Sequence, residues 1–195
     1  VLHHAVIYPG AYTTVAAEVS TLTDKPVTIA ERLAPTGEPT AFQRSLLSLV
    51  THAPFGQDLH ERYDPLIGAE PEVVWRNYEA AGDVYGFEPA SRARTTYALQ
   101  EYFVPAARFA GFVPRMAEIL RDGRANVLNV AIRHTRADEE TLLSWARQEV
   151  YSFVLYYAQG TSGRARPAVG EWTRELVAAA VAEGGSFYLP YQIHA

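Results

Sequence analysis

Five polar or aromatic side chains that could bind a small molecule fall at alternating positions of three predicted strands. They are Gln100 and Tyr102 in TYALQEYF, Asn129 and Arg133 in NVLNVAIRH, and Tyr188 in SFYLPY. Neighbouring side chains in a strand point to opposite faces, so we expect these five to share one face of a sheet. A guanidinium pairs with anions, and amides and phenols hydrogen-bond to polar groups. The pattern predicts a surface for a small polar or anionic ligand, although polar residues on one face of a sheet more commonly mean that water covers that face.

Motifs for self-sufficient catalysis are absent from the sequence. It contains no GxGxxG, no glycine-lysine phosphate loop and no GxSxG elbow. It contains no cysteine, which excludes disulfides, thiolate ligands and a cysteine nucleophile. No two of the six histidines stand four residues apart on a predicted helix, so we predict no metal site. His134 follows Arg133 and is a candidate general base. The residues alone therefore predict a binding face rather than a complete active site.

The composition limits the class of partner. The chain has 195 residues, 48% of them hydrophobic and 20% charged, as in a soluble globular protein. Its formal charge of −5 argues against nucleic acid and anionic membranes as partners. No apolar run approaches the roughly 20 residues of a membrane span, and no signal peptide is visible. We therefore expect a cytoplasmic protein.

The elements that must position these side chains follow from periodicity in residues 96–191. Strands are predicted at 96–104, 126–135, 150–158 and 186–191, and helices at 108–123 and 169–185. The order β-α-β-β-α-β is a split βαβ unit of ferredoxin-like type, an α+β fold with an antiparallel sheet and both helices on one face. In the first strand, Tyr97, Leu99 and Phe103 form an apolar set that also includes Glu101. We expect that set to face the helices, which leaves the other face of the sheet free.

The N-terminal part, residues 1–95, is predicted to be an irregular flank that contains helices. Eight prolines interrupt it. A strand is predicted to end at Pro9, and helices are predicted at 41–52 and 70–86. A further helical turn is predicted at 138–146. The three tryptophans are expected in the core.

Five segments together carry a resemblance to a known family. They are HHAVIYP, LQEYFVP followed by a helix, NVLNVAIRHTRADE, FVLYYAQG and GGSFYLPYQIHA. In this order they resemble the substrate-binding cap region of FAD-linked oxidases of the vanillyl-alcohol-oxidase-like superfamily. In that family the sheet of the cap covers the isoalloxazine ring. The resemblance implies that residues 1–195 are one cap domain and that the FAD-binding domain is missing from this chain. The start at Val1 and the abrupt end after the last segment fit that expectation.

The resemblance also implies an activity and roles for residues. The full-length protein would oxidise a small alcohol or hydroxy acid by hydride transfer to FAD, and this chain alone would be inactive. Arg133 resembles an arginine that lies near the flavin in a Glu-x-Arg pair of aldonolactone and alditol oxidases. Here Ala131 stands at the glutamate position, which argues against a lactone or polyol substrate. Arg133 is thus the candidate catalytic residue, and five residues are candidates for substrate binding: Gln100, Tyr102, Asn129, Tyr188 and Tyr191.

Two other classes of function stay open at this point. One is a non-catalytic ferredoxin-like module that holds a small ligand or another subunit on its free face. The other is a subunit that pairs with a separately encoded flavoprotein. A cap without its flavin domain should expose apolar surface and form homodimers or aggregates, whereas a stand-alone module should be monodisperse.

Overall fold

One antiparallel sheet organises the chain. The computed structural model describes residues 2–34, 56–63, 71–80, 91–142 and 144–191. Within these ranges six strands pair in the spatial order β2-β1-β4-β5-β3-β6. The strands are β1 (Leu2–Ile7), β2 (Val15–Ser20), β3 (Thr95–Pro105), β4 (Asn126–Thr135), β5 (Val150–Gly160) and β6 (Ser186–Phe187). Every neighbouring pair is antiparallel. The predicted mixed α+β class with an antiparallel sheet is confirmed.

Helices occupy the connections between the strands. Those in the described residues are α1 (Gly56–Tyr63), α2 (Arg76–Ala80), α3 (Phe109–Asp122) and α4 (Ala165–Ala182). A 3-10 turn, Ala106–Arg108, leads from β3 into α3. From β3 onward the chain order is β3-α3-β4-β5-α4-β6. None of the helices described here has the length and apolar character needed to cross a membrane.

Helices α3 and α4 pack on the same side of the sheet because each carries one apolar stripe. On α3, Phe112, Met116 and Ile119 recur at helical spacing and are buried. On α4, Trp172 and Leu176 do the same. Together with inward-facing side chains of the strands they form one core. Burying each large apolar side chain contributes about 1.5–3 kcal/mol, so this layer supplies most of the stability.

A pair of glycines connects α4 to β6. Gly184 adopts a positive φ of 76°, a conformation that side chains disfavour. The Gly185 N–H donates to the Ala180 carbonyl at 2.8 Å and closes the helix. A Cβ atom on Gly185 would lie 2.2 Å from the carbonyl oxygen of Phe103. The turn therefore brings β6 against β3 at a distance that only glycine allows.

Strand β4 contains a bulge at its start. The pairing register with β5 shifts between Val127 and Asn129, so Leu128 is the additional residue. As a result Val127 and Val130 both belong to the core. Beyond the bulge, Asn129 and the later residues alternate regularly.

Other predicted elements are shifted, absent or outside the described residues. The helix predicted at 41–52 lies outside the described residues. Of the helix predicted at 70–86, only Arg76–Ala80 is helical within the described part, and Pro71 lies before it. The described residues of 138–146 form no helix, because the Asp138 carboxylate accepts hydrogen bonds from the backbone N–H groups of Glu140 and Thr141. The last strand ends at Phe187 instead of residue 191.

Candidate functional site on the open face of the sheet

The alternation of β3 is opposite to the one predicted from sequence. Tyr102 is fully buried in the helix-side core, where its ring lies 6.5 Å from that of Phe112. Gln100 is also buried, and its side chain hydrogen-bonds to Tyr157 of the same core. Both residues therefore point at the helices. The prediction that they face away from the helices was wrong, so neither belongs to a site on the other face.

The covering of Phe103 explains this reversal. Both alternating sets of β3 contain apolar residues, so the count alone does not decide which set faces the helices. Phe103 lies on the other side, where the ring of Trp145 packs on it at a centroid distance of 4.3 Å. Ala146 and Val150 complete a second small apolar cluster. The β4–β5 connection thus buries Phe103 outside the main core, and Trp145 itself is 49% exposed instead of being a core residue.

We call the side of the sheet that points away from α3 and α4 the open face. Strand pairing sets its rows of side chains. Arg133 lies opposite Ser152, and Ser152 lies opposite Phe103. In the next row Ala131 lies opposite Val154, and Val154 lies opposite Glu101. The open face includes Tyr97, Leu99, Glu101, Phe103, Asn129, Ala131, Arg133, Ser152, Val154, Tyr156 and Tyr188.

A polar cluster occupies the middle of the open face. Ser152 is buried, and its hydroxyl donates to Oε1 of Glu101 at 2.5 Å. The backbone N–H of Tyr188 donates to the Glu101 carbonyl at 3.0 Å, which holds Tyr188 beside β3 after β6 has ended. The Tyr188 and Tyr191 rings meet edge to face at 4.9 Å. We use the name polar cluster for Glu101, Arg133, Ser152 and Tyr191.

Tyr191 lies within electrostatic reach of both charges of the polar cluster. Partial burial raises the pKa of its phenol, the Glu101 carboxylate and Tyr188 raise that pKa further, and the Arg133 guanidinium opposes them. The phenol is therefore protonated at neutral pH and is a hydrogen-bond donor next to a carboxylate. This arrangement suits a ligand that carries oxygen atoms.

Arg133 and Asn129 are on the open face, as the sequence predicted. Arg133 is exposed and makes no ion pair with any residue in the described ranges. Asn129 lies opposite Tyr156 of β5, and its Oδ1 atom is buried with no hydrogen-bond partner among the described residues. Arg133, Asn129, Tyr188 and Tyr191 thus share one surface, from which Gln100 and Tyr102 are excluded.

His134 points to the helix side, away from the polar cluster. Its Nε2 atom lies 2.7 Å from Oε1 of Glu149, and its ring contacts Tyr151 at 5.4 Å. A role as the general base next to Arg133 does not fit this position. Within the part of the chain that the structure describes, no group of three or more His, Cys, Asp or Glu side chains could hold a metal ion.

Glu101 and Ser152 are the site residues that sequence reasoning missed. Glu101 stood in an apolar set that was expected to face the helices. The charge inside that set was the available signal, since an unpaired carboxylate is costly to bury under helices. Ser152 gave no signal in the sequence, because its importance comes from its partner on another strand.

No model of a protein family, no curated protein and no solved structure matches this chain. The resemblance to FAD-linked oxidases therefore rests on the five sequence segments. What the chain can do has to follow from the chemistry of the open face.

Proposed function

We propose that this chain is the substrate-binding cap of a FAD-linked oxidoreductase that oxidises a small alcohol or hydroxy acid. The observation that carries the proposal is the open face, where a guanidinium, a carboxylate and two phenols lie beside exposed aromatic rings. The spatial order β4-β5-β3-β6 supports a ferredoxin-like unit within the larger sheet. In this proposal the FAD-binding domain is a separate part of the full-length protein.

The open face fits the ring system of a flavin and not its phosphates. Trp145 and Tyr188 are 49% and 42% exposed, and both contact Phe103, so they present apolar surface to a planar ring. A glycine-rich phosphate loop is absent from the sequence. FAD, when bound by its own domain, supplies the hydride acceptor.

The residues of this chain would then bind and orient the substrate. The exposed guanidinium of Arg133 can pair with a substrate carboxylate or stabilise negative charge that develops on a substrate oxygen. The Oδ1 atom of Asn129 is buried with no hydrogen-bond partner among the described residues, so it would accept a hydrogen bond from a substrate hydroxyl only after its side chain turns outward. The aromatic rings beside the polar cluster exclude water from the reacting carbon.

The test is the visible absorption spectrum of the protein from the complete reading frame, purified without added cofactor. We expect a flavin spectrum that bleaches anaerobically with a member of a panel of alcohols and hydroxy acids. A protein that stays colourless after FAD is added would exclude the oxidase function.

A second candidate is a non-catalytic module that binds a subunit on the open face. The exposed apolar side chains of Leu142 and Leu189, at 96% and 60%, favour it because each lies within three residues of an aromatic ring that contacts Phe103. Sedimentation velocity on the complete protein separates the two candidates. The module should be monodisperse, colourless, and shifted to a larger species only when its partner is added.

A further inference from the structure

Glu101 and Arg133 carry opposite charges on the same face and do not pair with each other. Arg133 makes no ion pair within the described residues, and the side-chain partner of Glu101 there is Ser152. The two residues are two strands apart and offset by two positions along the strands. With usual strand spacing and rise, their Cα atoms are on the order of 12 Å apart. We call the space between the two side chains, which no hydrogen bond or ion pair spans among the described residues, the gap.

The surroundings of this gap are fixed by packing. Ser152 lies directly opposite Arg133, and its hydroxyl donates a hydrogen bond to Oε1 of Glu101. The second oxygen, Oε2, accepts no hydrogen bond from the described residues and is available to a ligand. Tyr191 stands near both charges and adds a phenol donor. The Arg133 end of the gap thus attracts an anion, and the Glu101 end accepts a hydrogen bond from a donor group.

We infer that the gap between Arg133 and Glu101 recognises a short hydroxycarboxylate, with its carboxylate on Arg133 and its hydroxyl donating to Glu101. A carboxylate such as that of Glu101 only accepts hydrogen bonds, so it distinguishes a hydroxyl from a hydrogen atom at the same carbon. Arg133 distinguishes a carboxylate from a neutral amide. The inference rests on the proposed function only in choosing a hydroxyl over an amine.

Calorimetric titration of the 195-residue chain with four small probes tests this pairing. The probes are glycerate, propionate, which lacks the hydroxyls, glyceramide, which lacks the charge, and alanine, which carries an amine instead. We expect glycerate to bind at least about tenfold more tightly than propionate or glyceramide, because each of these two lacks one charge-assisted hydrogen bond. Equal binding of glycerate and propionate would overturn the inference, and tighter binding of alanine would overturn the choice of a hydroxyl.

Matched variants assign the preference to residues. E101Q keeps an oxygen for Ser152 and should abolish the preference for glycerate over propionate, with propionate affinity unchanged within about twofold. R133Q should abolish the preference for glycerate over glyceramide. The control is E118Q, on the exposed surface of α3 on the other side of the sheet, which should leave all affinities unchanged. A preference for glycerate that survives E101Q would remove Glu101 from the site.

The readout separates this inference from the proposed function. Binding of the probes needs no flavin. A colourless complete protein that keeps the expected probe preferences would exclude the oxidase and retain the hydroxycarboxylate site. A complete protein that contains flavin but binds the probes independently of Glu101 would retain the oxidase and exclude the hydroxycarboxylate site.

Discussion

The two sides of the sheet place their polar groups in different surroundings. On the helix side, Tyr102 and Tyr157 are buried among apolar residues, and burial raises the pKa of Tyr157 to about 12 and that of Tyr102 further. On the open face, Glu101 and Arg133 keep contact with solvent and do not pair with each other. Strand β3 supplies residues to both sides, so the difference comes from what covers each side. The helix side is built for packing, and the open face keeps its charges available.

The largest expected effect is a difference in the free energy of unfolding between variants at two neighbouring residues of β5, one on each side of the sheet. Leu155→Ala removes a fully buried side chain of the core and should lower the free energy of unfolding by about 2–5 kcal/mol. Val154→Ala, on the open face, should cost about 1 kcal/mol or less. Chemical denaturation of both variants measures the difference. Equal losses would contradict the assignment of the sides.

The next effect concerns chemistry on the open face. In the complete flavoprotein, Arg133→Ala should lower kcat/KM at least about a hundredfold, because a charged group that stabilises the transition state is lost. Its melting temperature should stay within a degree or two, since the side chain is exposed. The control is His134→Ala, on the helix side, which should retain activity. Unfolding of the Arg133 variant would instead give the arginine a structural role.

The next prediction concerns the glycine turn between α4 and β6, which brings β6 beside β3. Gly185→Ala should cost about 1–3 kcal/mol, since the new Cβ would collide with the Phe103 carbonyl oxygen. Gly163→Ala is the matched control because a Cβ there meets no atom within 4 Å, and it should be neutral or slightly stabilising. Thermal melts compare the two variants. A neutral Gly185 variant would show that β6 can shift away from β3.

Two phenols on the helix side sharpen the comparison further. Tyr157→Phe removes the partner of buried Gln100 and should cost about 1–3 kcal/mol. Tyr102→Phe removes a buried hydroxyl that has no partner among the described residues, so its effect should be within about 1 kcal/mol of zero. Urea denaturation measures both. A larger loss for Tyr102→Phe would reveal a partner for that hydroxyl.

The smallest effect is a dependence on alkaline pH. The pKa of Tyr157 is raised from 10.0 to about 12 in the folded state, so the folded protein keeps a proton that the unfolded chain releases above pH 10. The free energy of unfolding should therefore fall as pH rises from 10 to 12. Tyr157→Phe should reduce this slope. An unchanged slope in the variant would show that other groups cause the loss.

The sequence predicted those parts of the fold and of the open face that depend on residues close together in the chain. The order β3-α3-β4-β5-α4-β6 followed from periodicity, because α3 and α4 have clear apolar stripes and β4 has matching bounds at Asn126–Thr135. Strand β2 was not predicted, since it is short and depends on pairing with β1. Arg133 and Asn129 were placed correctly on the open face because β4 alternates clearly beyond its bulge.

The rest of the site depended on contacts between distant segments. The side on which Glu101 lies is set by Trp145, which is 44 residues later in the chain and covers Phe103. The role of Ser152 depends on its hydrogen bond to Glu101, 51 residues away. Periodicity within a single strand carries no information about such contacts. Only the folded sheet brings the polar cluster together.

The position of β1 has a consequence for how the chain folds during synthesis. Val6 pairs with Ala131, so β1 cannot join β4 until the chain has grown by more than a hundred residues. Until then, β1 and β2 can form only an isolated hairpin, which is marginally stable in water and has two unpaired edges. Closing such a long loop slows folding and exposes strand edges to aggregation. The β4–β5 unit can form early, and we expect the β1–β2 hairpin to dock onto it late.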